Sequence, residues 1–105
     1  MTDKRIVFTT AGSEEEAGKI GRYLVEERLA ACVNIIPRVE SIYRWQGKIE
    51  SAQEWLLIIK TTAERFPAVR DAIRKLHSYD LPECIALSVE DGSLPYLKWL
   101  EDSVT

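Results

Sequence analysis

The apolar and polar positions of this chain fall into short blocks of alternating character. Residues 5–10, RIVFTT, form a short β-rich run closed by Ala11 and Gly12. The period then becomes helical. Ala17, Ile20, Leu24 and Val25 make an apolar stripe, Ser13 and Glu16 have the capping-box form, and Glu14 to Glu16 lie at the positive helix end. This predicts a helix over roughly 13–28. Two β-rich runs follow, 31–45 and 48–61, separated only by the turn at Gln46-Gly47-Lys48. So close a junction leaves only an antiparallel hairpin, with Pro37 at a bulge or an edge.

Phe66, Val69, Ile73 and Leu76 recur at helical spacing, Pro67 is tolerable in a first turn, and the helix they define should end near His77. In the next run Ile85, Leu87 and Val89 alternate with Cys84, Ala86 and Ser88, a strand with one bulky and one small face. Asp91-Gly92 turns the chain, and Ser93 with Pro95 opens a short last helix carrying Tyr96, Leu97, Trp99 and Leu100. The order βαββαβ plus a C-terminal helix predicts an α+β, ferredoxin-like plan: two helices on one face of a four-stranded antiparallel sheet with a long central hairpin. No linker or repeat interrupts it, so residues 1–105 are expected to form one domain.

That plan leaves one sheet face bare. Trp55, Leu56, Leu57, Ile58 and Ile59 run without a break, so both faces of their strand are apolar. Burial of one large apolar side chain contributes about 1.5–3 kcal/mol, so the bare face calls for a cover. Self-association through the long hairpin supplies one, and folding back of the C-terminal helix is the alternative.

Composition narrows the function classes. Seventeen acids against 14 bases give a net charge of −3, which argues against a general binder of nucleic acid or anionic membrane. The strand KIESAQEWLLIIK lacks the aromatic, basic motif of an RNA-recognition sheet. The start MTDKRIVFTT has no signal-like hydrophobic region, and no stretch is long and apolar enough to span a membrane, so the expectation is a cytoplasmic protein with its two cysteines reduced.

Candidate chemistry concentrates in KLHSYDLPEC, residues 75–84, which holds the only histidine. It is not a self-contained metal motif, because no second Cys or His stands three or four residues from His77 or Cys84, and a closed tetrahedral site wants four ligands. His77 can be a ligand or simply the polar end of a helix. Cys32 can be a ligand or a small buried hydrophobe, Cys84 reads as core filler, and Glu50 and Glu54 read as solvated edge charges that discourage unwanted strand pairing. Nothing local enforces a nucleophile, base and orienting acid, so no enzyme is expected.

Across nearly the whole chain, AACVNIIP (30–37), SIYRWQGKIE (41–50), IKTT (59–62), HSYDLPE (77–83) and GSLPYLKWL (92–100) resemble, in order, the CutA family of divalent-cation tolerance proteins. The resemblance implies a cytoplasmic homotrimer of ferredoxin-like subunits linked by the long hairpins, with binding of copper or other divalent metal ions and no established catalysis. Cys32 and His77 match ligand positions of the copper-binding members, and Glu83 is a further carboxylate donor; Thr9 and Leu76 stand where that pattern has another cysteine and another histidine. Ser78 replaces a proline and Asp80 a glutamate. A thiol and an imidazole would favour Cu(I), Cu(II) or Zn(II) over Mg(II) or Ca(II). The resemblance also gathers Tyr43, Trp45, Lys60 and Tyr79 around an inter-subunit cleft, where Lys60 could pair with an acid such as Glu83. The rival function is a trimeric interaction or signalling module, of architecture similar to PII proteins, that binds a protein or small ligand without a dedicated metal site.

Overall fold

A computed structural model describes residues 1–105. Its elements run β1 (Lys4–Ala11), α1 (Glu14–Glu26), β2 (Cys32–Trp45), β3 (Lys48–Thr62), α2 (Phe66–Leu76), β4 (Ile85–Ser88) and α3 (Leu94–Ser103). The four strands form one antiparallel sheet in the order β2-β3-β1-β4, the ferredoxin-like α+β plan.

Both ends of α1 have local causes. The Ser13 side chain accepts from the Glu16 backbone N–H at 3.1 Å and starts α1. The other half of the expected capping box is absent, because the Glu16 carboxylate accepts from the Ser78 N–H at 3.0 Å instead. That contact ties the start of α1 to the end of α2. Helix α1 stops two residues short of the expected end: Arg28 takes φ 57°, and the Leu29 and Arg28 N–H groups turn back to Leu24 and Val25 carbonyls. This is a Schellman stop built without glycine. Val25, expected in the buried stripe, is 42% exposed.

The core lies between the helices and one sheet face. Val7, Thr9 and Ala11 of β1 pair with Ile59, Leu57 and Trp55 of β3, and Val7, Leu57 and Ile59 are fully buried against Ile20 and Leu24 of α1 and Val69 and Ile73 of α2. Alternation puts Leu56 and Ile58 on the opposite face with Ile6, Phe8, Ile36, Ile85 and Leu87. There α3 covers only one end. Lys4 reaches Glu101 at 2.6 Å, Lys60 lies 6.0 Å from the centre of the Tyr96 ring, and Leu100 is buried. The remainder stays bare: Ile36, Ile85 and Leu87 are 42–52% exposed.

Strand β3 pairs with β1 only from Trp55 onward, so residues 48–54 pair with β2 alone and project as a two-stranded arm. The arm closes through Gln46 and Gly47, both at positive φ (51° and 81°), as a two-residue type I′ turn requires. Ile42 and Ile49 are exposed on one face of the arm, and Tyr43 and Trp45 on the other.

Candidate functional site

At the root of the arm a cavity of about 620 Å³ opens between the hairpin and the loop after α2, with Tyr43, Trp45, Glu54, Tyr79, Asp80 and Glu83 among its walls. A β-bulge aims the hairpin side chains there. Ile36 pairs with Leu56 but Val39 pairs with Glu54, so β2 carries one extra residue across Pro37 and Arg38, and Arg38 takes φ 58°. The insertion flips the strand's parity. Before it the even positions Cys32, Asn34 and Ile36 share the open face; after it the odd positions Tyr43 and Trp45 do, alongside Glu54.

Glu54 is the residue that sequence reasoning misplaced. It was expected to be a solvated edge charge, but it is only 7% exposed, because Tyr79 folds over it and donates its hydroxyl to Oε2 at 2.8 Å. Tyr79 gets there by passing close over Gly12, where a Cβ would stand 3.0 Å from its hydroxyl oxygen. A signal was available: Glu54 shares a face with Leu56 and Ile58, and a charge at the end of an apolar face is not an ordinary edge charge. The electrostatics follow from the crowding. Burial, the hydrogen bond to Glu54 and its negative charge push the Tyr79 phenol well above its ordinary value of 10.0. Burial, then the charge of Glu54, pushes the Glu83 carboxyl above its ordinary 4.5.

The residues expected to hold a metal are dispersed. The His77 side chain is fully buried, with Nε2 2.6 Å from the Thr10 carbonyl oxygen and Nδ1 accepting the Tyr79 N–H at 3.1 Å. Both ring nitrogens are thus engaged within the chain, and Glu16 Oε1 lies 3.7 Å from Nδ1. Cys32 lies half-buried on the open face opposite Lys60, its thiol 3.8 Å from Asn34 Oδ1. Glu83 is in the cavity wall, separate from both. Thr9 is buried under the helices and Leu76 packs against the core. No three His, Cys, Asp or Glu side chains of one chain are grouped to hold a metal ion, so the donors of a single chain do not fit one. Cys84 packs against the core, and burial pushes its thiol up, with Glu83 adding to the shift and Arg70 opposing it.

Of the expected cleft residues, Tyr43, Trp45 and Tyr79 meet around the cavity. Lys60 does not. It stands at the other end of the open face beside Tyr96, and a Lys60–Glu83 pair is not formed within the chain.

The profile of a family described as CutA1 divalent ion tolerance protein matches residues 5–103. The divalent-cation tolerance protein CutA of Thermus thermophilus is 48% identical over 100 residues, which make up 95% of this chain and 97% of that one. The human protein CutA is 50% identical over 93 residues, covering 89% of this chain but only 52% of its own length. Among solved structures, CutA from Xylella fastidiosa superposes with a TM-score of 0.97 at 44% identity, over 99% of this chain and 100% of that one.

Proposed function

The chain belongs to the CutA1 divalent ion tolerance protein family, and from that premise we propose that it works in divalent-cation tolerance as a cytoplasmic homotrimer that binds rather than transforms its ligands. The observation that carries the assembly is the bare apolar face of Ile6, Phe8, Ile36, Leu56, Ile58, Ile85 and Leu87, continued by an arm with exposed apolar groups on both sides. A two-stranded ribbon is marginal in water without a further surface to pack on. A second copy offers the same face and the same arm, and the threefold number comes from the family resemblance. Two free thiols suit a reducing compartment, and no helix is long and apolar enough to cross a membrane.

Copper or a similar ion, the ligand that the resemblance puts first, would have to take donors from more than one subunit. His77 is committed to Thr10 and Tyr79, which leaves the Cys32 thiol and the Glu83 carboxylate as donors. Competition with calibrated chelators for Cu(I) and Cu(II) tests this. Cys32→Ser should weaken binding at least tenfold, about 1.4 kcal/mol. Affinity unchanged by Cys32→Ser and by Glu83→Gln removes the metal-binding reading.

A second reading, a ligand-binding trimer without a dedicated metal site, is favoured by the cavity itself. Its volume of about 620 Å³ falls within the usual range for small-molecule sites, and its walls combine the rings of Tyr43, Trp45 and Tyr79 with polar and acidic side chains that can orient a ligand.

A further inference from the structure

We propose that the cavity at the root of the arm takes a protonated organic amine, held by Glu54 and Glu83 and flanked by the rings of Trp45, Tyr43 and Tyr79. The inference rests on the reading of that cavity as a ligand site and names the ligand's chemistry.

The charge pattern of the walls is one-sided. Glu54, Asp80 and Glu83 contribute to the lining and no lysine, arginine or histidine does. Glu54 is the decisive member. It is more than nine-tenths buried, its Oε2 accepts from the Tyr79 hydroxyl, and its Oε1 has no hydrogen-bond or ion-pair partner in the chain. That free oxygen is an acceptor in the cavity wall, which an N–H donor of a cation in the cavity would satisfy.

Geometry separates an organic cation from a bare metal ion. Glu54 stands in the hairpin wall of the cavity of about 620 Å³ and Asp80 and Glu83 in the loop wall, and no three of its acids are grouped as donors to one metal ion. A cation spread over several atoms reaches two of them. The aromatic residues add the second half of the recognition. Tyr43 and Trp45 lie two residues apart on β2, hence on one strand face with Glu54, and both are about two-fifths exposed. Ring faces attract ammonium groups and pack against methylene chains, whereas a hydrated metal ion gains little from either. A diamine matches both features, with one ammonium at Glu54 and the other at Glu83.

Isothermal titration of the full chain in its native assembly, at physiological ionic strength, tests the proposal. The probes are 1,4-diaminobutane, its uncharged counterpart 1,4-butanediol, and magnesium and copper ions. The expected result is one diamine per chain, at least tenfold preference over the diol, and at least tenfold weakening in Glu54→Gln and in Trp45→Leu, with circular dichroism melts showing that both variants are folded. Should Glu54→Gln fail to fold, Glu83→Gln carries the same test. Equal binding of diol and diamine overturns the amine and leaves the cavity as a ligand site. Binding of a divalent ion that Glu54→Gln abolishes, with no binding of the diamine, also overturns the amine. No binding of any probe, with a lysine or arginine of a neighbouring copy cross-linking to Glu54 through a carbodiimide, overturns the amine and the ligand-site reading together.

Discussion

The hydroxyl of Tyr79 donates to Glu54 Oε2 at 2.8 Å, joining the loop after α2 to the root of the hairpin arm across 25 residues of sequence. The bond fixes one wall of the cavity against another. Tyr79→Phe leaves a nearly buried carboxylate with no partner and should cost about 1–3 kcal/mol, while Glu54→Gln, which removes the charge and keeps an acceptor, should cost less. Denaturant unfolding at fixed protein concentration checks the order. A Tyr79→Phe protein as stable as the parent would show that the bond contributes nothing.

Glu83 supplies a pH signature. Its folded carboxyl lies above the ordinary value of 4.5, so between that value and the folded one the native state holds more protons than the unfolded state. This contribution to stability is full at pH below about 4.5, declines as pH rises through the raised value, and is flat beyond it. Subtracting the stability profile of Glu83→Gln from that of the parent should isolate a fall with rising pH that begins near 4.5. A difference profile that rises over the same window contradicts the sign.

His77 acts as a structural tie between β1 and the end of α2. His77→Ala removes a buried ring and strands the Thr10 carbonyl and the Tyr79 N–H, and it should destabilise the fold by about 2–4 kcal/mol. The same change should leave copper affinity within threefold of the parent once a folded fraction is confirmed. A loss of tenfold or more in copper affinity from an equally folded variant would return His77 to the ligand set.

Two neighbours on β3 should respond oppositely to the same charge. Leu57 is fully buried under the helices, whereas Ile58 lies on the open face between Phe8 and Asn34. Leu57→Lys should abolish folding, because an unpaired buried charge costs several kcal/mol. Ile58→Lys should keep the circular dichroism of the fold and lower the mass seen by light scattering. An Ile58→Lys protein with unchanged assembly would show that the open face is not the contact.

Element order, all three helices, the hairpin and its turn were legible because period, capping and turn residues all act locally. The ferredoxin-like plan followed, and with it the bare face. The sequence did not distinguish Leu57 from Ile58, since an unbroken apolar run has no phase; the pairing with β1 sets it. Nor did it show where Tyr43 and Trp45 point, because their face depends on one extra residue at Pro37 and Arg38. Pro37 signalled a bulge, but not its register. The family pattern marked His77 and Cys32 as a pair, and only the fold reveals that one is sealed beneath Thr10 and the other lies out on the sheet. Glu54 was misread because its neighbour Tyr79 arrives from the far side of α2, a relation that no local spacing carries.

Native mass spectrometry of the unmodified protein, purified without added metal and sprayed at micromolar concentration, tests the assembly on which the rest depends. A homotrimer should give a dominant species at three times the chain mass of 12.0 kDa, with any bound metal or small ligand read from the residual mass. A single species at the mass of one chain would contradict it, for the open face of β3 and the projecting arm would then be stable in water without a partner.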